Sequence, residues 1–384
     1  MRNILIVHPC AQIFNIPCIV NLINKLGKTR SRVFFPIIKN NFFDESKESI
    51  SNKIELSEFP FIQKSRTESL LVWFFGYLIF CIFTARKDRP EIIVAMGSKG
   101  LIVGTFLSYF YGAKLCFYSL EFPACPPRNF KDRIHFFLER SFCKNVDILF
   151  IHDDNRLKLY ENIVSRVFED FIIFPNAPVE TLADDVCVFE VRKAYGIPKN
   201  KKVILYSGGL YSDIGLEKIC EDVESLDKSW VLFLQSHDGV VQLRANKKIA
   251  QLEEQGRVII NLRPLSTNHY SALLQICSVG IAYYSAKDPN MFNVGLSSGK
   301  IAAYWKNGMP VIVNDLPVIQ EIFNEFSCGV ISDSLNSISD AVAIIDKSRD
   351  QFIEGAFAAY KKHFSLKNIE FYLEEMFLKK TRID

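Results

Sequence analysis

Four residues suited to holding an anion, Ser297, Ser298, Gly299 and Lys300, stand together inside YYSAKDPNMFNVGLSSGKIAAYWKNGMPVIVN, Tyr283 to Asn314. An apolar run opens there into a polar loop carrying Asn293, and the Ser-Ser-Gly-Lys group leads into a helical pattern that stops at Asn307-Gly308. A helix starting this way offers a diphosphate unbonded backbone N–H groups, the positive end of its dipole and a primary ammonium. An N-cap serine followed by an exposed lysine has the same spelling, and this segment alone leaves both readings open. The second candidate is VILYSGGLYSDIGLEKI, where a predicted strand ends at Ser207, Gly208 and Gly209 and a helix begins near Asp213. Lacking Cβ atoms, Gly208 and Gly209 let the backbone approach a phosphate closely, although an ordinary tight turn uses the same pair. Neither the G-x-G-x-x-G nor the P-loop spacing is present. Arg263, just past another predicted strand, is a further cation for the same anion.

The front half places different chemistry at equivalent points. Glu121 follows a predicted strand, where a carboxylate can accept a proton from an acceptor or contact a sugar. His8 follows the first strand and is a candidate for contact with an acceptor or a phosphate. Gly97, Ser98 and Lys99, with Gly100, follow a third strand and open a helix, giving another candidate anion or acceptor site. Asp153 and Asp154 after ILFIH suit a helix N-cap and a first-turn acid, and His152, His237 and His269 are read as structural. The chain holds no D-x-D, H-E-x-x-H or C-x-x-C, so metal-independent chemistry without a bound cofactor is expected.

Short apolar runs alternating with helical stretches must position these residues, and that rhythm predicts parallel βαβ units. Strands are expected at Asn3 to Val7, Arg32 to Phe35, Glu91 to Ala95, Lys114 to Tyr118, Asp147 to Ile151 and Phe171 to Phe174. The second half repeats the pattern at Val203 to Tyr206, Trp230 to Leu234, Val258 to Asn261, Val279 to Tyr283, Pro310 to Val313 and Gly329 to Ile331. PNAPVETLADD, Pro175 to Asp185, reads as a linker between them. The predicted class is α/β: doubly wound domains over 1–180 and 181–365, then a helical tail over 366–384, with the cleft between the domains as the default active site.

Length and composition agree with two such cores. The 384 residues are 49% hydrophobic and 23% charged, which excludes a disordered or fibrous chain. A net charge of +3 gives no case for nucleic acid, but a cut at residue 180 leaves 23 Lys+Arg against 18 Asp+Glu in front and 23 against 25 behind. That mildly basic front suits an anionic membrane surface or a phosphate-bearing acceptor, or is simply solvated surface. LLVWFFGYLIFCIF, Leu70 to Phe83, is too short to span a bilayer and is expected as a core helix, with a helix in the membrane interface as the alternative. Ten cysteines without close pairs, and a first segment lacking a signal-peptide pattern, predict reduced thiols in a cytoplasmic protein.

YSGGLYSDIGLEKI and SSGKIAAYWKNGMPVIVNDLPVIQEI together resemble the carboxy-terminal half of the GT-B glycosyltransferases grouped as family 4. VIINLRPLSTNHYSALLQICSVGIAYY resembles the unit between those blocks. In the front half KLCFYSLEFPACPP, LERSFCKNVDILFIHDDNRLKLYEN and FIIFPNAP resemble the family's corresponding segments, with Glu121 on its glutamate. The chain departs from the pattern where two glutamates eight positions apart would fall, at Gly295 and Ala303. It departs again near Gly209 and Ile214, where the family carries an arginine and a lysine, and at His8, Pro9, Cys10 and Ala11, which replace its first Gly-Gly loop. With those groups gone, the resemblance makes Lys300, helped by the N–H groups of Ser298 and Gly299, the chief phosphate contact.

The resemblance implies a glycosyltransferase that moves a sugar from a nucleotide diphosphate sugar, held by the second domain, to a glycan or polyprenyl-diphosphate-linked acceptor held by the first. It further implies retention of configuration, no metal, and work in capsule, O-antigen or lipopolysaccharide synthesis, peripheral to the inner face of the cytoplasmic membrane. Donor-site residues are then Gly208, Gly209, Arg263, Asn293, Ser297, Ser298, Gly299 and Lys300. Catalytic candidates are Glu121 and His8, and acceptor-site candidates are Gly97, Ser98 and Lys99. Two rival readings share the architecture: a nucleotide-sugar 2-epimerase, and a non-catalytic sugar-nucleotide-binding partner of another transferase.

Overall fold

The computed structural model describes residues 2–9, 16–29, 31–38, 54–59, 70–86, 88–179, 185–209, 216–236, 246–285, 289–332, 337–367 and 369–378. Cys10, Ala11, Asp213, Ile214 and His237 lie outside them, as do residues 180–184 of the expected linker. The chain forms two compact units, one of Met1–Pro175 with Leu366–Asp384 and the other of Asn176–Ser365. The division falls at Pro175/Asn176 rather than at 180, and the tail belongs to the first unit.

The first unit is built on a parallel sheet of seven strands: β1 (Arg2–Val7), β2 (Ser31–Ile38), β3 (Ile54–Phe59), β4 (Ile92–Met96), β5 (Lys114–Tyr118), β6 (Ile148–Ile151) and β7 (Phe171–Ile173). Their order is β3-β2-β1-β4-β5-β6-β7, so the winding reverses between β1 and β4. Every residue of β4, β5 and β6 is buried, as expected of strands covered by helices on both faces. One face packs on the helix Pro17–Lys28 and on the tail helix Ile369–Leu378, whose Ile369, Leu373 and Phe377 enter that core. A Lys25–Glu370 ion pair of 2.9 Å and a hydrogen bond from the Arg2 guanidinium to the Phe377 carbonyl fasten the tail there. The opposite face packs on the helices Leu70–Ala85 and Gly97–Tyr111.

The second unit has six parallel strands: β8 (Lys202–Ser207), β9 (Trp230–Gln235), β10 (Val258–Asn261), β11 (Val279–Ala282), β12 (Val311–Val313) and β13 (Gly329–Ile331). The order β10-β9-β8-β11-β12-β13 reverses between β8 and β11. Ligands of open α/β sheets bind beyond the carboxyl ends of strands at such a reversal, so Ser207–Gly209 and Tyr283–Ser285 occupy the informative positions. Gly280 has a packing duty here: a Cβ on it would lie 2.2 Å from the Tyr304 ring. Its absence lets that ring lie on β11 and brings the Tyr304 hydroxyl within 3.1 Å of the Ser207 N–H, which donates to it.

The Leu70 to Phe83 run forms the helix Leu70–Ala85 and is neither wholly core nor wholly surface. Tyr77, Cys81 and Ala85 are buried on one side, while Phe75, Ile79 and Phe83 are exposed on the other. No helix among the described residues is long and apolar enough to cross a membrane. The nine described cysteines are all free thiols, seven of them buried.

Candidate functional site

Lys300 lies in the first turn of the helix Gly299–Lys306, at the carboxyl edge of the second sheet. Its ammonium sits 4.4 Å from the centre of the Tyr206 ring and 5.2 Å from that of Tyr284. Gly208, at φ +139°, leaves room for it, since a Cβ there would come within 3.0 Å of Nζ. Desolvation lowers the Lys300 pKa from 10.5 to about 8, and no carboxylate pairs with the ammonium among the described residues. A cation drawn partly out of water between two aromatic faces, with no acid opposite, is poised to take an anion.

The backbone around Lys300 divides into occupied and open donors. Ser298 is the N-cap, its Oγ accepting from the Ile301 N–H at 3.0 Å and touching the Tyr284 hydroxyl. The Ser298 N–H is taken by the Gly295 carbonyl, and the Ser297 N–H and hydroxyl both go to Val294 O. The capping reading is therefore correct for Ser298, and the N–H pair left without partners among the described residues is that of Gly299 and Lys300. Gly208 gives its N–H to Gln235 O, while Gly209 accepts from the Tyr206 hydroxyl at 3.0 Å. Asn293 turns its amide to Pro289 O at 2.9 Å, closing the short helix Pro289–Phe292.

Several residues not anticipated from the sequence hold this arrangement. Asn176, read as part of a linker, donates from Nδ2 to Ser297 O at 3.0 Å, and its Oδ1 is buried without a partner. It braces the loop that ends in Gly299, and the Pro-Asn-Ala-Pro spelling at the junction was the available signal. Lys306 ties Val179 O to the same helix at 3.0 Å. Asn314 holds Tyr284 through two bonds, accepting from its N–H at 2.9 Å and donating to its carbonyl at 3.1 Å. Tyr270 donates to Ser207 Oγ at 3.1 Å, and burial raises the pKa of Tyr270, Tyr284 and Tyr304, keeping them neutral. Arg263 is exposed past β10, and its loop is pinned through the backbone: its carbonyl accepts from Gln235 and Asn261 at 3.0 and 3.1 Å.

In the first unit, His8 and Gly97–Lys99 meet at the β1/β4 reversal. Met96 O lies 3.2 Å from His8 Nδ1, so the carbonyl assigns the proton to that nitrogen. Nε2 then carries a lone pair, buried and without a partner. Burial lowers the His8 pKa from 6.5 to about 4, leaving the ring neutral near pH 7. Ser98 donates to Glu139 Oε2 at 2.5 Å, and Tyr160 donates to Oε1 at 3.0 Å. Burial raises the Glu139 pKa from 4.5 to about 7, and the sequence reading had not singled this acid out. Lys99 is exposed at the helix start. Glu121 is also exposed, and its charge faces Arg156, whose guanidinium stacks 4.0 Å above the Phe122 ring. Asp153 caps the helix Asp154–Val164 by accepting from the Arg156 N–H at 2.8 Å. His152 Nδ1 is 3.1 Å from Phe174 O in the core, and His269 lies in the first turn of the helix Thr267–Ile276.

Two parallel sheets in series, one of seven strands and one of six and each reversing beside its first strand, give the GT-B fold. Among solved structures the chain is similar to HepE from Anabaena in complex with UDP-glucose, with a TM-score of 0.70 and 12% identity over 98% of this chain and 99% of that one. It is similar to a glycosyltransferase from Rickettsia africae, with a TM-score of 0.70 and 13% identity over 99% of each chain. A third similar structure is UDP-GlcNAc 2-epimerase from Neisseria meningitidis bound to UDP-GlcNAc, with a TM-score of 0.61 and 12% identity over 99% of this chain and 100% of that one. At such identities the likeness is one of fold. No family profile matches the sequence, and no curated protein matches it.

Proposed function

We propose that the chain is a metal-independent glycosyltransferase whose second unit holds a nucleotide diphosphate sugar and whose first unit holds the acceptor. The observation carrying this reading is the Lys300 ammonium, desolvated, free of any carboxylate partner among the described residues, and flanked by the open N–H groups of Gly299 and Lys300. In the reaction the bond between the anomeric carbon and the diphosphate oxygen breaks, and the acceptor hydroxyl oxygen bonds to that carbon. Negative charge then grows on the diphosphate, where an ammonium and helix-terminal N–H groups stabilise it most. In the retaining course that the family resemblance implies, the hydroxyl proton passes to the departing diphosphate oxygen, and neither Gly295 nor Ala303 supplies a carboxylate beside the sugar. His8 Nε2 accepts a hydrogen bond from the acceptor, with Glu121 and Lys99 as further acceptor contacts. The acceptor is a glycan or polyprenyl-diphosphate-linked sugar of bacterial surface polysaccharide, taken up at the cytoplasmic face of the membrane. Arg263 is a second cation toward the donor.

A thermal-shift panel of UDP-, GDP-, TDP- and CMP-sugars on wild type and Lys300→Ala tests the donor site. Ligand at 100 times its dissociation constant adds about 2.7 kcal/mol, so one nucleotide class should raise the wild-type midpoint clearly and the variant's little. No shift with any of them removes the donor site. The epimerase likeness favours a second reading, in which the sugar changes configuration while still on the nucleotide. Product analysis without acceptor separates the two.

A further inference from the structure

We propose that Glu139 is the positioning residue of the acceptor site, holding the groups that meet the acceptor in one arrangement through two hydroxyl arms, Ser98 and Tyr160. The inference rests on the reading of the first unit as the acceptor-binding unit and names what keeps that site in shape. Glu139 lies on the helix Phe130–Phe142 and is 1% exposed, with Ser98 at 2.5 Å on Oε2 and Tyr160 at 3.0 Å on Oε1. No Lys, Arg or His pairs with it among the described residues. A glutamine would fill the same space and meet both hydroxyls without a buried charge to desolvate, so an acid there is not a device for stability.

Each arm leads to acceptor candidates. Ser98 stands in the first turn of the helix Gly97–Tyr111, whose N-cap, Met96, supplies no side-chain cap. The Met96 carbonyl lies 3.2 Å from His8 Nδ1, and Gly100 packs so closely on the end of β1 that a Cβ there would lie 2.8 Å from Val7 O. His8 and the turn carrying Ser98 and Lys99 are thus held as one body, which the Ser98 bond ties to the helix Phe130–Phe142. Tyr160, fully buried on the helix Asp154–Val164, stacks on the Phe122 ring with centroids 6.3 Å apart. Phe122 adjoins Glu121 in the chain, so one carboxyl group joins the supports of His8, Lys99 and Glu121. Ionisation decides what the arms can do. The carboxylate accepts from both hydroxyls at once, whereas the protonated acid must donate through one oxygen and keeps one acceptor position fewer. Burial sets that change near neutrality, at about 7. The titratable and charged groups around it are Lys99 from the helix Gly97–Tyr111, Tyr160 with Arg166 beyond it, Cys143, and His135 and Arg140 on its own helix, with His8 behind Ser98. Burial raises Tyr160 and Cys143 and lowers His135 and His8, which leaves no phenol, thiol or imidazole in the set changing charge at pH 7 alongside Glu139.

Steady-state transfer by the full chain at pH 6 and pH 8 tests the assignment, with membrane-extracted lipid-linked saccharides as the varied acceptor and the donor saturating at each pH. Wild type should show an acceptor KM about fivefold lower at pH 8 than at pH 6, the worth of one hydrogen bond, with kcat nearly unchanged. Glu139→Gln, which cannot ionise, should hold the pH 6 value of KM at both. Ser98→Ala should raise KM about fivefold at pH 8, and Ser98→Thr, which keeps the hydroxyl, should restore it. Calorimetric titration should give all four proteins the same donor affinity at a given pH, and circular dichroism reports whether each is folded. A wild-type KM that is flat from pH 6 to pH 8, a Glu139→Gln variant with the wild-type pH profile, or a loss that falls on kcat alone overturns the inference and leaves the transferase reading standing. Donor binding without transfer to any saccharide at either pH overturns the acceptor reading and, with it, the inference.

Discussion

Replacing Lys300 with methionine should make the free protein more stable and the donor complex weaker. Desolvation holds Lys300 at about 8 instead of 10.5. At roughly 1.4 kcal/mol per pH unit, keeping it charged costs the fold about 3 kcal/mol. Residual exposure and the Tyr206 and Tyr284 faces return about a third of this, leaving a gain of about 2 kcal/mol for Lys300→Met at pH 7. The pH dependence has a definite sign. Between pH 8 and 10.5 the unfolded chain keeps a proton on Lys300 that the folded chain has released, so wild type gains stability relative to the variant as pH rises. Binding moves the other way. Losing a charge-assisted contact to the diphosphate costs about 1.5 to 3 kcal/mol, a roughly ten- to hundredfold weaker complex. Urea denaturation at pH 7 and pH 10, paired with calorimetric titration of the donor, reads both quantities. A variant that bound donor as tightly as wild type would refute the assignment of the ammonium to the diphosphate.

Other substitutions probe the supports. Asn176→Ala removes one hydrogen bond from the Ser297–Gly299 loop and should weaken donor binding about fivefold, with the thermal midpoint nearly unchanged. His8→Gln should raise KM for the acceptor while leaving donor affinity intact. Because the wild-type imidazole resists protonation down to about pH 4, the unfolded state gains on the folded one as pH falls below 6.5. The variant should therefore lose about 3 kcal/mol less stability than wild type between pH 6.5 and 4, as read by denaturation. Glu139 titrates the opposite way: its contribution is present below pH 4.5 and lost as pH rises through about 7. Glu139→Gln should thus improve relative to wild type by about 3 kcal/mol across that window. Leu373→Ala, fully buried in the tail helix, should cost about 2 to 5 kcal/mol in the unfolding transition of the first unit.

The strands were legible because parallel strands covered on both faces are near-continuous apolar runs, and β4, β8 and β9 are spelled that way. β3 was not, since IELSEF alternates, lies at the sheet edge and exposes Glu55, so no run of apolar residues marks it. The tail's place on the first unit was also hidden. Its Leu373 and Phe377 meet residues of β1 and of the helix Pro17–Lys28 that lie at the other end of the sequence. At the candidate site, Lys300 was readable because Ser-Ser-Gly-Lys is local, and its helix start follows from capping chemistry. The tyrosines around it were not. Tyr206, Tyr270, Tyr284 and Tyr304 come from two strand ends and two helices, and only the fold collects them. The prolines beside Asn176 signal a turn and so spell a linker, whereas its amide works inside the second unit.

Mass-spectrometric product analysis after incubating the full chain with its stabilising nucleotide sugar, alone and with membrane-extracted lipid-linked saccharides, tests the central claim most directly. The account predicts that the donor keeps its sugar configuration when alone. With acceptor, nucleoside diphosphate should be released in step with acceptors one sugar heavier, and both should fall sharply in Lys300→Met. Conversion of the donor to its epimer without acceptor, or donor binding with no transfer to any saccharide in the extract, would contradict it.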